Sequence, residues 1–462
     1  MELLTILFAL MIPSLTGDLL VSAVLGEDAT VFEKVFFGYG AGLGVLSYEM
    51  FILGLLRVPF TALLITAVQI VIIAVLVVLR FRTKAGGRKA PMERSGISRA
   101  ALVLAALLSV WVLVKLGFVF HESVTRPIYS WDTWANWSAG AKLFFYGHGL
   151  ILDKTSENFF GSGYRPFLGH PLHSVLLQVY SALWLGGFHE TYVKLWTFFY
   201  FVSMLGIMYF AIKREAGLFY GVAGVFFLSS LPLLTYHAQD AYSDFPLGWY
   251  SFAAAVSFWR YMRSDNRRFL IISGAFLGMG MFVKNEGLFF LAAIGAALLL
   301  YSILERKPLI TNLLYLALPA LLLAGPWLVF KTVNHFGFGH TGSGLKWLGD
   351  PNIQGGAKTG VHWDIIVPAF KEVFLTANFS LLFPFWIVIS VIGLRSVARS
   401  EIKYLDLVVF IVMTGFVFVY LTLERMSVLE ATGIHRNILT YAPIMLFSSA
   451  LTLNGVMQRW RG

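Results

Sequence analysis

The sequence predicts an all-α polytopic membrane protein, and three observations carry that prediction. Hydrophobic residues fill 58% of its 462 positions and charged residues 13%, about half the charged share that a soluble globule needs for its surface. Mean hydropathy is +0.75. Apolar runs long enough to cross about 30 Å of hydrocarbon as helices recur near 3–24, 35–56, 59–80, 100–120, 192–212, 217–236, 245–262, 269–283, 287–304, 310–330, 376–394, 405–423 and 437–455, about thirteen in all. The formal charge of +10 would point to nucleic acid in a soluble protein. In a bilayer protein a basic excess belongs to cytoplasmic loops, so no nucleic-acid partner is expected. The absence of cysteine excludes disulfides, iron–sulfur clusters and thiol catalysis. The run Leu3 to Leu25 is too long for a signal peptide, and Glu2 stands where a basic n-region would, so a retained membrane helix is expected.

Basic residues orient the spans. Between Arg80 and Arg99 lie Arg82, Lys84, Arg88, Lys89 and Arg94 against the single acid Glu93, which makes this segment cytoplasmic. It divides the chain into a three-helix membrane segment, 1–80, a basic linker, 81–99, and a larger membrane domain, 100–462. Further basic clusters at Lys213–Arg214, Arg260–Arg268, Arg306–Lys307, Arg395–Lys403 and Arg459–Arg461 share that side only if HPLHSVLLQVYSALWLGG (170–187) does not cross. Its length and its opening His170, Pro171 and His173 predict a helix lying on the membrane surface. The outer face then receives the loop 121–191, the short segments 237–246, 283–287 and 424–436, and a second large loop, 331–375. Nearly all the notable polar residues fall there.

In YSWDTWANWSAGAKLFF (129–145), Ser130 is placed as an N-cap and Asp132 opens an amphipathic helix with Trp131, Trp134 and Trp137 at three-residue spacing. Asp132 has two readings from the residues alone: an acid favouring the helix dipole, or a functional carboxylate with Asn136 one turn on. In HAQDAYSDFPLGWY, Asp240 reads as a solvated loop acid or a pocket residue. Asp244 sits at the mouth of an apolar span, where a carboxylate wants a partner. VKNEG places Lys284 and Glu286 between two spans, either as a mutual ion pair closing a hairpin or as a site in which Lys284 meets a phosphate. Arg436 snorkels to headgroups or binds phosphate. Arg165, His170 and His173 lie at the start of the surface helix, and two histidines three apart allow a divalent metal, although no acidic third ligand stands beside them. Glu49 lies within a span in GYGAGLGVLSYEMFILG, whose glycine spacing predicts close helix packing. Cations, carboxylates and imidazoles thus gather on one face, where chemistry on a lipid phosphate head group is the economical explanation. No Gly-rich phosphate loop on a strand–helix unit accompanies them.

The order of these features resembles the GT-C membrane glycosyltransferases, in particular the protein O-mannosyltransferases and the aminoarabinose transferase of lipid A. The features are Asp132 after an inside-to-outside span, the segment 170–187 ending in Gly-Gly, a span ending in Lys213–Arg214, SDFPL before a span and VKNEG after the next. The resemblance covers about residues 100–455. It implies a GT-C helical bundle with outer-face juxtamembrane helices that moves a sugar from a polyprenyl (undecaprenyl or dolichyl) phosphate to an acceptor, inverting the anomeric carbon. Asp132 would then activate the acceptor and Asp244 support the site. Lys284, Arg436 and Arg165 would hold the leaving phosphate. Trp131, Asn136, His170, His173, Asp240 and Glu286 would line the substrate pocket. The implied setting is a multi-pass cell-membrane protein, bacterial inner membrane by its cousins, with its site on the periplasmic or extracellular side. No cofactor is required, and metal use stays open. Thr133 stands where the family often has a second acid, and the three helices before residue 99 have no counterpart in those relatives. With no large soluble domain after the last span, the expected acceptor is lipid-linked or a small glycan. The competing readings are a lipid or sugar transporter, which predicts charges near the midplane and inverted repeats, and an envelope glycan ligase or polymerase.

Overall fold

A computed structural model describes residues 1–82, 98–153, 155–156, 170–335, 361–422 and 424–461. Among these described residues nineteen α-helices run in order: α1 (Glu2–Leu25), α2 (Val31–Leu55), α3 (Ala62–Arg82), α4 (Arg99–Thr125), α5 (Ala139–Tyr146), α6 (His173–Leu185), α7 (Trp196–Ala216), α8 (Leu218–Ser229), α9 (Pro232–His237), α10 (Asp244–Ser264), α11 (Arg268–Val283), α12 (Gly287–Leu304), α13 (Leu309–Val333), α14 (Ile366–Phe374), α15 (Leu382–Ile392), α16 (Leu394–Ala398), α17 (Ile402–Thr422), α18 (Arg425–Leu429) and α19 (Gly433–Arg461). Each of the thirteen apolar runs holds a helix. Nine helices among the described residues are long and apolar enough to span a bilayer, and α8, α11 and α15 are shorter apolar helices. The fourth exception is α10, whose polar side chains do not reach lipid: every residue from Asp244 to Met262 is buried in the bundle. A helix enclosed by protein on all sides needs no lipid-compatible surface.

The glycines of α2 set how closely the core helices approach. A Cβ on Gly42 would lie 1.7 Å from the Pro13 carbonyl oxygen, and one on Gly17 would lie 1.9 Å from that of Gly38, so α1 and α2 pack backbone to backbone. On another face of α2, a Cβ on Gly40 would meet the Trp249 ring at 2.2 Å and one on Gly44 the Tyr250 hydroxyl at 2.8 Å. The expected close packing is therefore real, and it is two-sided. Because the obstacle at Gly42 is backbone, Gly42→Ala is expected to cost about 1–3 kcal/mol or more and to lower the thermal midpoint of the detergent-solubilised protein. Gly117→Ala in α4, whose Cβ would meet nothing within 4 Å, should leave the midpoint within a degree or two (roughly 0.5 kcal/mol). Equal effects at both sites would refute the packing argument.

Helices α1 and α2 are part of the central core. The Tyr39 hydroxyl donates to the Trp196 carbonyl at 2.9 Å, and Glu33 bridges Arg214 and Arg260, each at 2.8 Å. Asp28 meets Arg268, Asp265 meets Lys307, Arg263 reaches Glu215 and Glu401, and Arg459 donates to the Arg395 carbonyl. The basic clusters thus share one end of the bundle, as the charge pattern predicts. They are more than anchors, because acids lock several of them in place.

The segment 170–187 differs from expectation. Its helix, α6, does not present an apolar face to lipid: His173 to Ala182 are all buried, packed against α1, α2 and α5. Thirteen residues of helix span about 20 Å, too short to cross a bilayer, and the enclosing helices take the place of the interface. The exposed apolar stripe expected of a juxtamembrane helix belongs instead to α14 and the turn before it. There Trp363, Ile366, Val367 and Phe370 are exposed at three- and four-residue spacing.

Candidate active site

The site lies at the end of the bundle opposite the basic clusters. Asp244 opens α10, Lys284 follows α11, Glu286 precedes α12, and Arg436 stands in the first turn of α19. Lys284 Nζ lies 2.9 Å from Asp244 and 2.8 Å from Glu286. Arg436 is ion-paired to Asp132 and interacts electrostatically with Asp244. A single chain of alternating charge therefore runs Asp132–Arg436–Asp244–Lys284–Glu286, assembled from four separate parts of the sequence. Lys331, from the last turn of α13, extends it: buried, it donates to Asn285 at 2.9 Å.

Burial and charge oppose one another here. Asp244 is wholly buried, which by itself would favour the neutral acid. Lys284 and Arg436 outweigh that cost and hold its carboxyl well below the usual carboxylate range. Burial likewise opposes the charged form of Lys284, and Asp244 and Glu286 more than offset it, raising its ammonium above the ordinary lysine value. Glu286, half-buried, is lowered because Lys284 outweighs burial. His237 goes the other way, since burial pushes it down to about 4 despite Asp244. It is neutral at physiological pH. An unfolded chain would hold a proton on His237 below its ordinary 6.5, so stability is lost as pH falls from 6.5 towards 4, by about 1.4 kcal/mol per unit for one such group. Thermal midpoints recorded across that window should fall on acidification, and His237→Gln should flatten the slope. An unchanged slope would contradict the assignment.

Asp240 is not a solvated loop acid. Fully buried, it accepts from the Ser130 backbone N–H at 3.0 Å and from the Ser130 hydroxyl, and it fixes its own loop through Ala241 N–H at 2.9 Å. Ser130 therefore does not cap a helix with its side chain. It ties the turn before Asp132 to the α9–α10 loop. Buried Lys194 donates to the Gln239 carbonyl in the same loop, and burial brings it down to about 8 against the pull of Asp240. Residues Thr133–Ser138 then form a π-helix, a rare form concentrated at functional sites. Its wider turn separates the tryptophans: Trp131 and Trp134 are exposed, with ring centroids 5.7 Å apart, and Trp137 turns inward to meet the His170 ring at 5.4 Å. Asn136 is half-buried in the same segment.

His170 and His173 do not form a metal pair. His173 lies in the core with Nδ1 2.7 Å from the Ser47 hydroxyl and Nε2 3.1 Å from that of Tyr200, so both ring nitrogens are taken. Among the described residues no group of three or more metal-ligating side chains occurs. Glu49 accepts from Gln69 at 2.5 Å, and Gln69 accepts from Thr16 at 2.7 Å, so this acid ties α1, α2 and α3 together away from the site. Arg165 lies outside the described residues. His237, Tyr242, Lys194 and Lys331 border this charged cluster and are the candidates that the motif pattern missed. His237 and Tyr242 stand in the same HAQDAYSDFP stretch, but their types alone gave no charge pattern to follow.

Residues 168–330, which include Asp240, Asp244, Lys284 and Glu286, match the family model described as dolichyl-phosphate-mannose-protein mannosyltransferase. That match spans about a third of the chain. Two solved structures of ArnT from Cupriavidus metallidurans are similar to it. The one bound to undecaprenyl phosphate is 16% identical, covering 78% of this chain and 79% of that one at a TM-score of 0.41. The apo form is 15% identical, covering 77% of each at 0.40. No curated protein matches the chain.

Proposed function

We propose that the protein transfers a monosaccharide from a polyprenyl phosphate to a hydroxyl of a lipid-linked or small glycan acceptor on the outer, periplasmic face of the membrane, with inversion at the anomeric carbon. One observation carries this reading: two carboxylates and two cations expected to serve acceptor and phosphate form one continuous charged array at the end remote from the basic loops. The acceptor oxygen attacks the anomeric carbon and its proton passes to Asp132. The bond from that carbon to the phosphate oxygen breaks, and the electron pair leaves with the polyprenyl phosphate. Lys284 and Arg436, with Arg165 as a further candidate, meet the charge that develops on the phosphate. Asp244 keeps both cations in place. Arg436 has five N–H donors in a rigid fork, so a bound phosphate competes with Asp132 for them. Donor binding thereby frees the carboxylate to accept a proton. Asp240 and Ser130 hold the turn that carries Asp132, and Trp131 seats it at the lipid interface. Residues 100–462 would form the catalytic domain, with 1–80 as its internal support and 81–99 as a cytoplasmic linker.

The test uses purified protein, a panel of polyprenyl-phosphate monosaccharides and crude envelope lipid as acceptor. Free polyprenyl phosphate should appear from one donor together with a glycosylated lipid. A donor that binds and is never consumed would favour a transporter. A product extended by many sugars would favour a ligase or polymerase.

A further inference from the structure

We propose that Asp244 Oδ2 and His237 Nε2 form an acceptor pair for hydroxyl groups of the donor's sugar ring and so set which sugar the protein takes; this rests on the glycosyltransferase reading above. Both atoms are buried, and neither has a hydrogen-bond partner among the described residues. His237 is 2% exposed and Asp244 0%. Such groups cost free energy unless something pairs with them. The chemistry of the missing partner follows from the protons already placed. Asp244 Oδ1 accepts from Lys284 at 2.9 Å, so the carboxylate is ionised and its second oxygen can only accept. His237 Nδ1 faces the Leu233 carbonyl at 3.0 Å, which places the ring proton on Nδ1 and leaves Nε2 a lone pair. Two acceptors require a partner that brings two donors.

A cation is a poor fit, because Lys284 and Arg436 already supply positive charge to Asp244 and no third ligand completes a metal site among the described residues. Neutral hydroxyls match. The location also fits: one oxygen of Asp244 holds the lysine proposed for the phosphate, and its other oxygen is the orphan. A sugar joined to that phosphate lies next to it. Tyr242 completes the wall, its ring 4.3 Å from that of His237 and 6.0 Å from the Arg436 guanidinium. Aromatic faces of this kind suit the apolar side of a sugar ring while the hydroxyls are taken at its edge.

The experiment measures dissociation constants of undecaprenyl phosphate, of undecaprenyl-phosphate hexoses and of their single-position deoxy analogues, for the wild type, His237→Phe and His237→Gln. For the wild type, deleting the hydroxyl that meets this pair should weaken binding about tenfold, the effect of one hydrogen bond to a buried group. His237→Phe should reduce that ratio to about twofold or less, and His237→Gln, whose side-chain oxygen accepts, should restore part of it. Bare undecaprenyl phosphate should bind all three proteins within about twofold. Discrimination that survives in His237→Phe, or a bare-lipid affinity that falls as far as the sugar-lipid affinity, would overturn the inference. Wild-type protein that binds bare lipid phosphate and ignores every hydroxyl deletion would overturn this inference alone. If no lipid phosphate binds at all, the glycosyltransferase reading fails as well.

Discussion

Asp132→Asn is expected to lower sugar transfer by about 10²- to 10⁴-fold, the range for losing a positioned general base, while the protein stays folded and donor affinity holds or rises. The geometry separates these effects. Asp132 and Arg436 are 26% and 22% exposed, so their pair contributes roughly 0–1 kcal/mol to stability. Removing the carboxylate charge also releases the Arg436 guanidinium, which is then free for phosphate without competition. A variant that loses donor affinity along with rate would show that Asp132 binds the donor rather than the acceptor's proton. One that keeps full rate would remove Asp132 from the chemistry.

The second large effect is on folding as well as function. Lys284→Met leaves Asp244 with no exposure and Glu286 half-buried, their shared cation gone. Breaking a buried pair by removing one partner costs about 3–5 kcal/mol, because the remaining charge has no compensation. The thermal midpoint should fall sharply and binding of polyprenyl phosphate should be lost. The double variant Lys284→Met with Asp244→Asn removes both charges of the pair and is expected to recover part of the stability and none of the binding, a coupling that a double-mutant cycle measures directly. If the single and double variants are equally unstable, Asp244 and Lys284 are not the coupled pair described above.

Much of this architecture was legible in the sequence because a bilayer imposes a simple code. Spans need about twenty apolar residues and basic residues mark one side, so the helix positions, the shared basic end and the opposite collection of Asp132, Asp244, Lys284, Glu286 and Arg436 all followed from one-dimensional pattern. What did not follow depends on packing. Segment 170–187 read as a surface helix because its length and polar start are the same whether lipid or protein surrounds it, and only the contacts with α1, α2 and α5 decide. Asp240 read as a solvated acid because its partner, Ser130, lies 110 residues away. His173 read as a metal candidate for the same reason: Ser47 and Tyr200, which occupy its nitrogens, come from other helices. His237 carries no signal in the sequence, because nothing in HAQDAYSDFP marks a second ring nitrogen that is buried without a hydrogen-bond partner among the described residues.

In the proposed reaction Asp132 takes the acceptor proton and the leaving group is a polyprenyl phosphate. A single turnover decides it: protein in excess over donor, the donor fully bound, acceptor lipid saturating, and free polyprenyl phosphate measured against time for wild type and Asp132→Asn. The wild type should release about one polyprenyl phosphate per donor in a burst, and the variant should reach the same endpoint at least about a hundredfold more slowly. Equal rates of release from fully bound donor would contradict it.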